Sequence, residues 1–222
     1  MNIAIAIDGP AGAGKSTIAK MAAKELSFIY VDTGALYRAI GLCAKQSDIG
    51  SKDVDKILEM LKTIKVELAF NDNKEQIVLL NGEDVSSLIR TPEISMYASD
   101  VSAIPEVRAF LLDLQRNMAK TNNIIMDGRD IGTVVLPDAK VKIFLTASPQ
   151  VRAKRRYDEL IEKGMDVNYE DVLSDVITRD YNDSHRETAP LKPAEDSVIV
   201  DTSGLDLQQS VEKLISIMKE RM

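Results

Sequence analysis

The run Ile3-Ala4-Ile5-Ala6-Ile7 is followed, after Asp8, by Gly9-Pro10-Ala11-Gly12-Ala13-Gly14-Lys15-Ser16. From Ser16 to Leu26 no Gly or Pro interrupts the chain. The first run is short, apolar and rich in isoleucine, the pattern of a buried strand. The last is rich in helix formers. Between them stands the spacing G-x-x-x-x-G-K-[ST]. Strand, glycine turn and helix in that order constrain the fold strongly. The glycines let the main chain wrap an anion without Cβ clashes. Their N–H groups and the helix N-terminus point at that anion. The pattern therefore reads as a cradle for a nucleoside triphosphate. Lys15 would reach the β- and γ-phosphates and the Ser16 hydroxyl would hold Mg²⁺.

Four more short apolar runs read as buried strands: Phe28 to Val31, Ile124 to Met126, Val141 to Leu145 and Val198 to Val200. Helical patterns separate them. Continuous apolar strands alternating with helices predict a parallel sheet covered on both faces. Ligands then gather at the carboxyl ends of the strands, where Asp8, Asp32 and Asp127 stand. The segment from Ser51 to Pro92 breaks the rhythm. Ser51 is expected to cap a helix carrying Val54, Ile57, Leu58 and Leu61. Ile64 to Phe70 and Ile77 to Leu80 alternate like strands, split by a turn at Asn71-Asp72-Asn73 and followed by a second at Asn81-Gly82. A small antiparallel insert is expected there. Two helices opening on Pro92 and Pro105 follow.

Composition limits the functional classes. Basic residues number 28 and acidic residues 35 among 222, a net charge of −7. Such a chain is a poor non-specific binder of nucleic acid or anionic membrane, so an anionic ligand must meet a local basic pocket. Hydrophobic residues make up 45%, enough for a core. Cys43 is the one cysteine; it lies in an apolar run and reads as a buried thiol. No disulfide is expected, which fits a reducing compartment. No basic leader or membrane-length apolar run is visible, so a cytoplasmic protein without a membrane partner is expected.

Several clusters after the strands carry chemistry. Asp32-Thr33-Gly34-Ala35-Leu36-Tyr37-Arg38 reads either as a second phosphate clamp or as a helix capped by Thr33 with an arginine along its surface. In Asp127-Gly128-Arg129-Asp130, Arg129 offers a planar fork for phosphate. Asp127 is placed to orient a metal ion's water shell or the reacting centre, and Gly128 is read as permitting a backbone conformation closed to other residues. The alternative is a tight turn held by an Arg–Asp pair. Pro149 opens and Gly164 ends a helix bearing Arg152, Arg155 and Arg156, either a lid over phosphates or a solvated basic face. Asn168 opens another, with Asp171 at the capping-box position. There Arg179, Asp183 and Arg186 fall on one stripe, either reading phosphate and ribose or forming a salt-bridge ladder. His185 beside them reads as surface or packing. No Asn-Lys-x-Asp element or switch motif is present, which argues against a GTPase-like module.

Together, Ile7 to Thr17, Asp32 to Arg38 and Asp127 to Thr133 resemble the motifs of bacterial cytidylate kinases, P-loop nucleoside monophosphate kinases, over essentially the whole chain. The resemblance implies a three-layer αβα fold with a five-stranded parallel sheet, a β-rich insert at Ile64 to Ser86 and a short helical lid. It implies one kinase domain: a core of 1–31, 120–147 and 185–222, a monophosphate-binding part at 32–119, and a lid at about 148–168. It implies transfer of the ATP γ-phosphoryl group to CMP or dCMP with Mg²⁺, by a monomer.

The implied ATP ligands are Gly9, Pro10, Ala11, Gly12, Ala13, Gly14, Lys15, Ser16, Thr17 and the lid residue Arg152. The implied CMP ligands are Thr33, Tyr37, Arg38, Ser99, Arg108, Arg129, Asp130, Arg179, Asp183 and Arg186. Lys15, Asp127, Arg129, Arg155 and Arg156 are the implied catalytic group. The family often has Ser or Gly where this chain has Thr33 and Ser16; a hydroxyl is present at both. The alternatives are another small-molecule P-loop kinase or a nucleotide-binding switch.

Overall fold

The computed structural model describes residues 2–71 and 75–222. The expected turn at Asn71-Asp72-Asn73 falls partly on residues 72 and 73, which lie outside the described residues. All five strands read from the sequence form. They are β1 (Ala4–Asp8), β2 (Ile29–Asp32), β6 (Ile124–Gly128), β7 (Val141–Thr146) and β8 (Val198–Asp201). They make one parallel sheet in the order β2-β6-β1-β7-β8.

The side-chain alternation of the strands builds the layers. Ile5, Ile7, Ile125, Ile143 and Leu145 pack against α1 (Lys15–Leu26) and α8 (Leu207–Arg221) on one face. Ala6, Val31, Ile124 and Met126 face the other way, against Ile131, Val135 and the Leu112–Ala119 stretch of α5 (Pro105–Thr121). Ile5, Ile7, Ile124 and Ile125 are fully buried, each worth about 1.5–3 kcal/mol of transfer free energy. The result is the expected three-layer arrangement.

The β-rich insert also forms. β3 (Val66–Phe70), β4 (Gln76–Leu80) and β5 (Glu83–Asp84) make an antiparallel sheet. Asn81 and Gly82, with φ of 53° and 87°, form the two-residue turn between β4 and β5, the geometry Asn-Gly favours. This sheet packs with α2 (Thr33–Gln46), α3 (Val54–Leu61), α4 (Pro92–Val101) and α5 in a second core. Asp53, rather than Ser51, occupies the N-cap of α3. The Ser51 hydroxyl instead donates to Asp100 Oδ2 at 2.6 Å.

α6 (Pro149–Glu162) and α7 (Tyr169–His185) pack on each other through Ala153, Leu160, Val172 and Val176. This small shared core joins the two helices. Asn168 caps α7 by accepting from the Glu170 N–H at 2.7 Å; the cap bond goes to the second helical residue, so Asp171 completes no capping box.

Helix α2 crosses α4 at Gly41, where a Cβ would lie 2.9 Å from Tyr97 Cβ and 3.2 Å from the Ala98 nitrogen. In an open helix Gly→Ala stabilises by about 1 kcal/mol. Here Gly41→Ala is expected to destabilise by about 1–3 kcal/mol, as overpacking does. Denaturant unfolding checks the sign.

Candidate active site

The cleft begins at the carboxyl end of β1. Gly14, the N-cap of α1, has φ +87°, a left-handed conformation that glycine adopts without strain. A Cβ at Gly9 would strike the Leu145 carbonyl oxygen on β7. The loop thus lies tight against the sheet. Lys15 is buried and folds back over it, donating to Gly9 O at 2.7 Å and Pro10 O at 2.8 Å. Burial, and then the neighbouring Arg129 charge, push its ammonium down to about 7; Asp127, Asp183 and Asp8 pull the other way.

Asp127, the penultimate residue of β6, lies directly opposite Asp32 in the sheet register. Its Oδ2 accepts from the Ser16 hydroxyl at 3.0 Å and its Oδ1 from the Tyr30 hydroxyl at 2.9 Å. Burial, with the Asp32 charge next, raises its carboxyl to about 6. Asp8 accepts from the backbone N–H groups of Ile131 and Gly132, both at 2.7 Å, which fixes the π-helical turn Ile131–Val135 over the end of β1. Burial holds Asp8 at about 6 against those two bonds.

Thr33 does not cap α2. Asp32 does, accepting from the Ala35 N–H at 3.1 Å. Thr33 is the first helical residue, and its hydroxyl donates to Asp127 O at 2.8 Å. Gly128 is required for space rather than for an unusual φ. A Cβ there would lie 2.7 Å from Ile131 Cδ1 and 2.8 Å from Thr33 Oγ1.

Around this floor stand arginines. Arg38 Nη2 donates to Asp32 Oδ2 at 2.7 Å, while its Nε is buried without a partner. Arg129 Nε donates to Asp183 Oδ2 at 2.7 Å. Although burial opposes it, Arg129 holds the Asp183 carboxyl below the usual carboxylate range. Arg179 Nε is buried with no hydrogen-bond partner. Burial, then Arg129, push its guanidinium down to about 10, with Arg156 and Arg38 adding to the effect. Asp183 therefore bonds to Arg129 across the cleft, not along a helical ladder. Arg186 lies past the end of α7, on extended backbone, so the expected single-helix stripe stops at Asp183.

A second polar group sits deeper, towards α4 and α5. Arg108 Nη2 pairs with Asp130 Oδ2, and its Nη1 donates to Ser102 O at 3.2 Å. Arg186 Nη1 donates to Ser102 Oγ at 3.2 Å, with its Nη2 at 3.8 Å from Asp130 Oδ1. The guanidinium of Arg108 lies 5.6 Å from the Tyr37 ring centroid. A fixed row of donors and acceptors results, next to Ser99 on the cleft wall.

The structure brings most of the expected residues to one cleft of about 1010 Å³. Ala11 to Thr17, Thr33, Tyr37, Arg38, Ser99, Arg108, Asp127, Arg129, Asp130, Arg155, Arg156, Arg179, Asp183 and Arg186 all line it. Gly9 and Pro10 lie behind the loop, where their carbonyls hold Lys15.

Arg152, expected at ATP, is not among the residues that line the cleft. It is buried, with Nε donating to Ala147 O at 2.8 Å and Nη1 to Ala11 O at 3.0 Å. Nη1 and Nη2 also pair with Asp180 on α7. Four of its five N–H donors are engaged in this way, so Arg152 joins the glycine loop to α7. Arg155 Nη2 donates to Thr202 O at 2.9 Å beside the loop. Arg156 is more exposed and pairs with Glu159 at 2.8 Å.

Tyr30, Ser102 and Asp180 were not foreseen as parts of the site. Tyr30 shares a face of β2 with Asp32 by period-two spacing, the one signal available. Ser102 and Asp180 gave none, because both act by contacts between distant segments.

A glycine loop between a strand and a helix of a parallel sheet, facing a cleft dense in arginine, defines a P-loop phosphotransferase. The family model described as Cytidylate kinase matches residues 5–220, and the chain belongs to that family. Similar relatives are named cytidylate kinase. The one from Caldicellulosiruptor saccharolyticus is 53% identical, covering 97% of this chain and 95% of the relative. The one from Streptococcus pneumoniae is 46% identical, covering 99% of both. An uncharacterized protein from Eubacterium ventriosum has the same fold, with TM-score 0.56 at 15% identity and full coverage of both chains. No helix among the described residues is long and apolar enough to cross a membrane.

The raised Asp127 carboxyl has a sign that can be checked. The unfolded chain releases its proton near the model-compound value of 3.8 and the folded protein at about 6. Between those values the folded state binds more protons, so this group's contribution to stability is full below about pH 4 and is lost as pH rises through 6. Asp127→Asn is expected to exceed the parent in unfolding free energy at pH 7 by on the order of 1–2 kcal/mol. The gain should vanish near pH 4. Denaturant titrations at both pH values measure it.

Proposed function

We infer that this chain transfers the γ-phosphoryl group of ATP to CMP or dCMP, giving ADP and CDP or dCDP, within pyrimidine nucleotide metabolism. One observation carries the reading. Half-buried guanidinium groups without full neutralisation, Arg179 above all, line the same cleft as the phosphate loop and the Arg108–Asp130 pair. A ligand phosphate there completes the missing charge, and a base beyond it meets fixed hydrogen-bonding groups.

The chemistry follows from charge. The transferring phosphoryl group is metaphosphate-like and needs positioning and cationic stabilisation. Gly9 to Thr17 cradle the donor phosphates, and Lys15 leaves its loop carbonyls to meet them. Arg38, Arg129 and Arg179 hold the acceptor phosphate, and Asp183 accepts from a ribose hydroxyl. Arg155 and Arg156 bring lid charge to the transferring group. Enclosure by the 32–119 part and the α6/α7 lid keeps out water that would otherwise hydrolyse ATP.

The residues present suit Mg²⁺. The Ser16 hydroxyl and Asp127 carboxylate, 3.0 Å apart, form an all-oxygen pair at the loop. No cluster of three or more His, Cys, Asp or Glu side chains suited to a metal occurs among the described residues. Such a sparse oxygen set fits a hard cation that keeps waters and shares ligand phosphates. When bound there, Mg²⁺ neutralises charge on the β- and γ-phosphates. The single buried Cys43 suits the cytoplasm, where we place the chain as a monomer.

Cytosine presents a donor at N4 and acceptors at N3 and O2. Asp130, with Ser99 beside it, takes the first, and Arg108 supplies the others. Uracil reverses the N3 and position-4 groups and leaves both mispaired. A site built on hydrogen bonds discriminates by about 10⁴-fold in such cases. In a coupled assay, kcat/KM for CMP should exceed that for UMP by roughly this factor. Comparable values would remove the base-reading roles.

A further inference from the structure

β2 is an edge strand of the parallel sheet. The outward N–H and C=O of its last residue, Asp32, need partners, and an uncovered edge is a liability. Among the described residues no main-chain strand supplies them. Gln76, the first residue of β4, does so with its side chain. The Asp32 N–H donates to Gln76 Oε1 at 2.7 Å, and Gln76 Nε2 donates back to Asp32 O at 3.1 Å. One side-chain amide thus imitates a strand rung and ties the antiparallel sheet to the edge of the parallel one.

Asp32 is also the residue through which the edge controls the cleft. Its Oδ1 caps α2 at Ala35, and its Oδ2 holds Arg38 Nη2 at 2.7 Å. Arg90, in the 3₁₀ turn Leu88–Arg90 just after the small sheet, approaches the same oxygen at 3.6 Å. The insert therefore touches the Asp32 backbone through Gln76, and the turn that follows it reaches the carboxylate through Arg90. Arg38 depends on this placement, because its buried Nε has no other partner to hold it.

We propose that Gln76 is a positioning residue for phosphoryl transfer: by pairing with the Asp32 backbone it fixes Asp32, and through Asp32 it aims Arg38 at the acceptor phosphate. This gives the β-rich insert a part in acceptor binding without contact to the substrate. The inference rests on the reading of Arg38 as a ligand of the acceptor phosphate. Gln76 itself is half-buried and bonds only to main chain here, so its loss disturbs the aim of Arg38 more than the packing of the core.

Gln76→Met keeps the side-chain length and apolar stem and removes both hydrogen bonds. It should lower kcat/KM for CMP about tenfold, the order expected for losing two neutral hydrogen bonds. KM for ATP and the melting temperature should stay close to the parent values. Glu83→Ala, an exposed change on β5, should leave all three unchanged. In an Arg38→Met background, Gln76→Met should cost little more, because the group it aims is gone.

Unchanged CMP kinetics in Gln76→Met would overturn the proposal. So would a full additional loss on top of Arg38→Met, or an equal rise in KM for ATP. Turnover of CMP by the parent protein tests the function separately. If the parent prefers another acceptor, the same double-mutant cycle with that acceptor still decides the role of Gln76.

Discussion

Unneutralised positive charge in a low-dielectric cleft is the constraint on which the structure depends. The chain as a whole is acidic, with a net charge of −7, yet Lys15, Arg38, Arg129 and Arg179 converge at one sheet edge. Carboxylates offset part of this charge: Asp183 on Arg129, Asp32 on Arg38, Asp127 and Asp8 near Lys15. Arg179 forms no ion pair among the described residues, and its Nε has no hydrogen-bond partner. Burying such a group costs free energy in the empty protein. The depressed Lys15 and Arg179 report that excess positive charge together with burial, whereas burial, with a neighbouring carboxylate beside each, raises Asp8 and Asp127. The phosphates of the donor and the single phosphate of the acceptor relieve the excess positive charge, so binding and catalysis draw on a destabilisation already present.

The fold holds that arrangement in place with a small number of fixed points. Strand ends deliver Asp8, Asp32 and Asp127 side by side. Two of them then organise main chain: Asp8 holds the turn after β6, and Asp32 caps α2. Arg152 clasps the phosphate loop to α7 through Ala11 and Asp180. That side chain thus adds rigidity where the loop meets α7. Rigid placement matters because electrostatic stabilisation of a transition state works by groups that need not reorganise.

Local pattern made the larger elements legible. Five apolar runs gave five strands, Asn81-Gly82 gave its turn, and Pro92, Pro105 and Pro149 opened their helices, since each of these signals acts within a few residues. The glycine loop and the clusters after β2 and β6 were legible for the same reason. Contacts between distant segments were not. Nothing near Arg152 in sequence announces Asp180, nothing near Gln76 announces Asp32, and the crossing that excludes a Cβ at Gly41 is set by α4. Competing caps were misjudged where neighbours had similar chemistry: Asp53 over Ser51, and Asp32 over Thr33. The core shared by α6 and α7 left no local signal either, because it exists only once the two helices pack.

The central claim is tested most directly by Arg179→Met, through its melting temperature and its CMP turnover measured together. Met preserves the apolar stem and removes the charge. The account requires the free protein to melt at a higher temperature than the parent while kcat/KM for CMP falls by about 10²–10³-fold. A variant that melts lower and still phosphorylates CMP at the parent rate would contradict it.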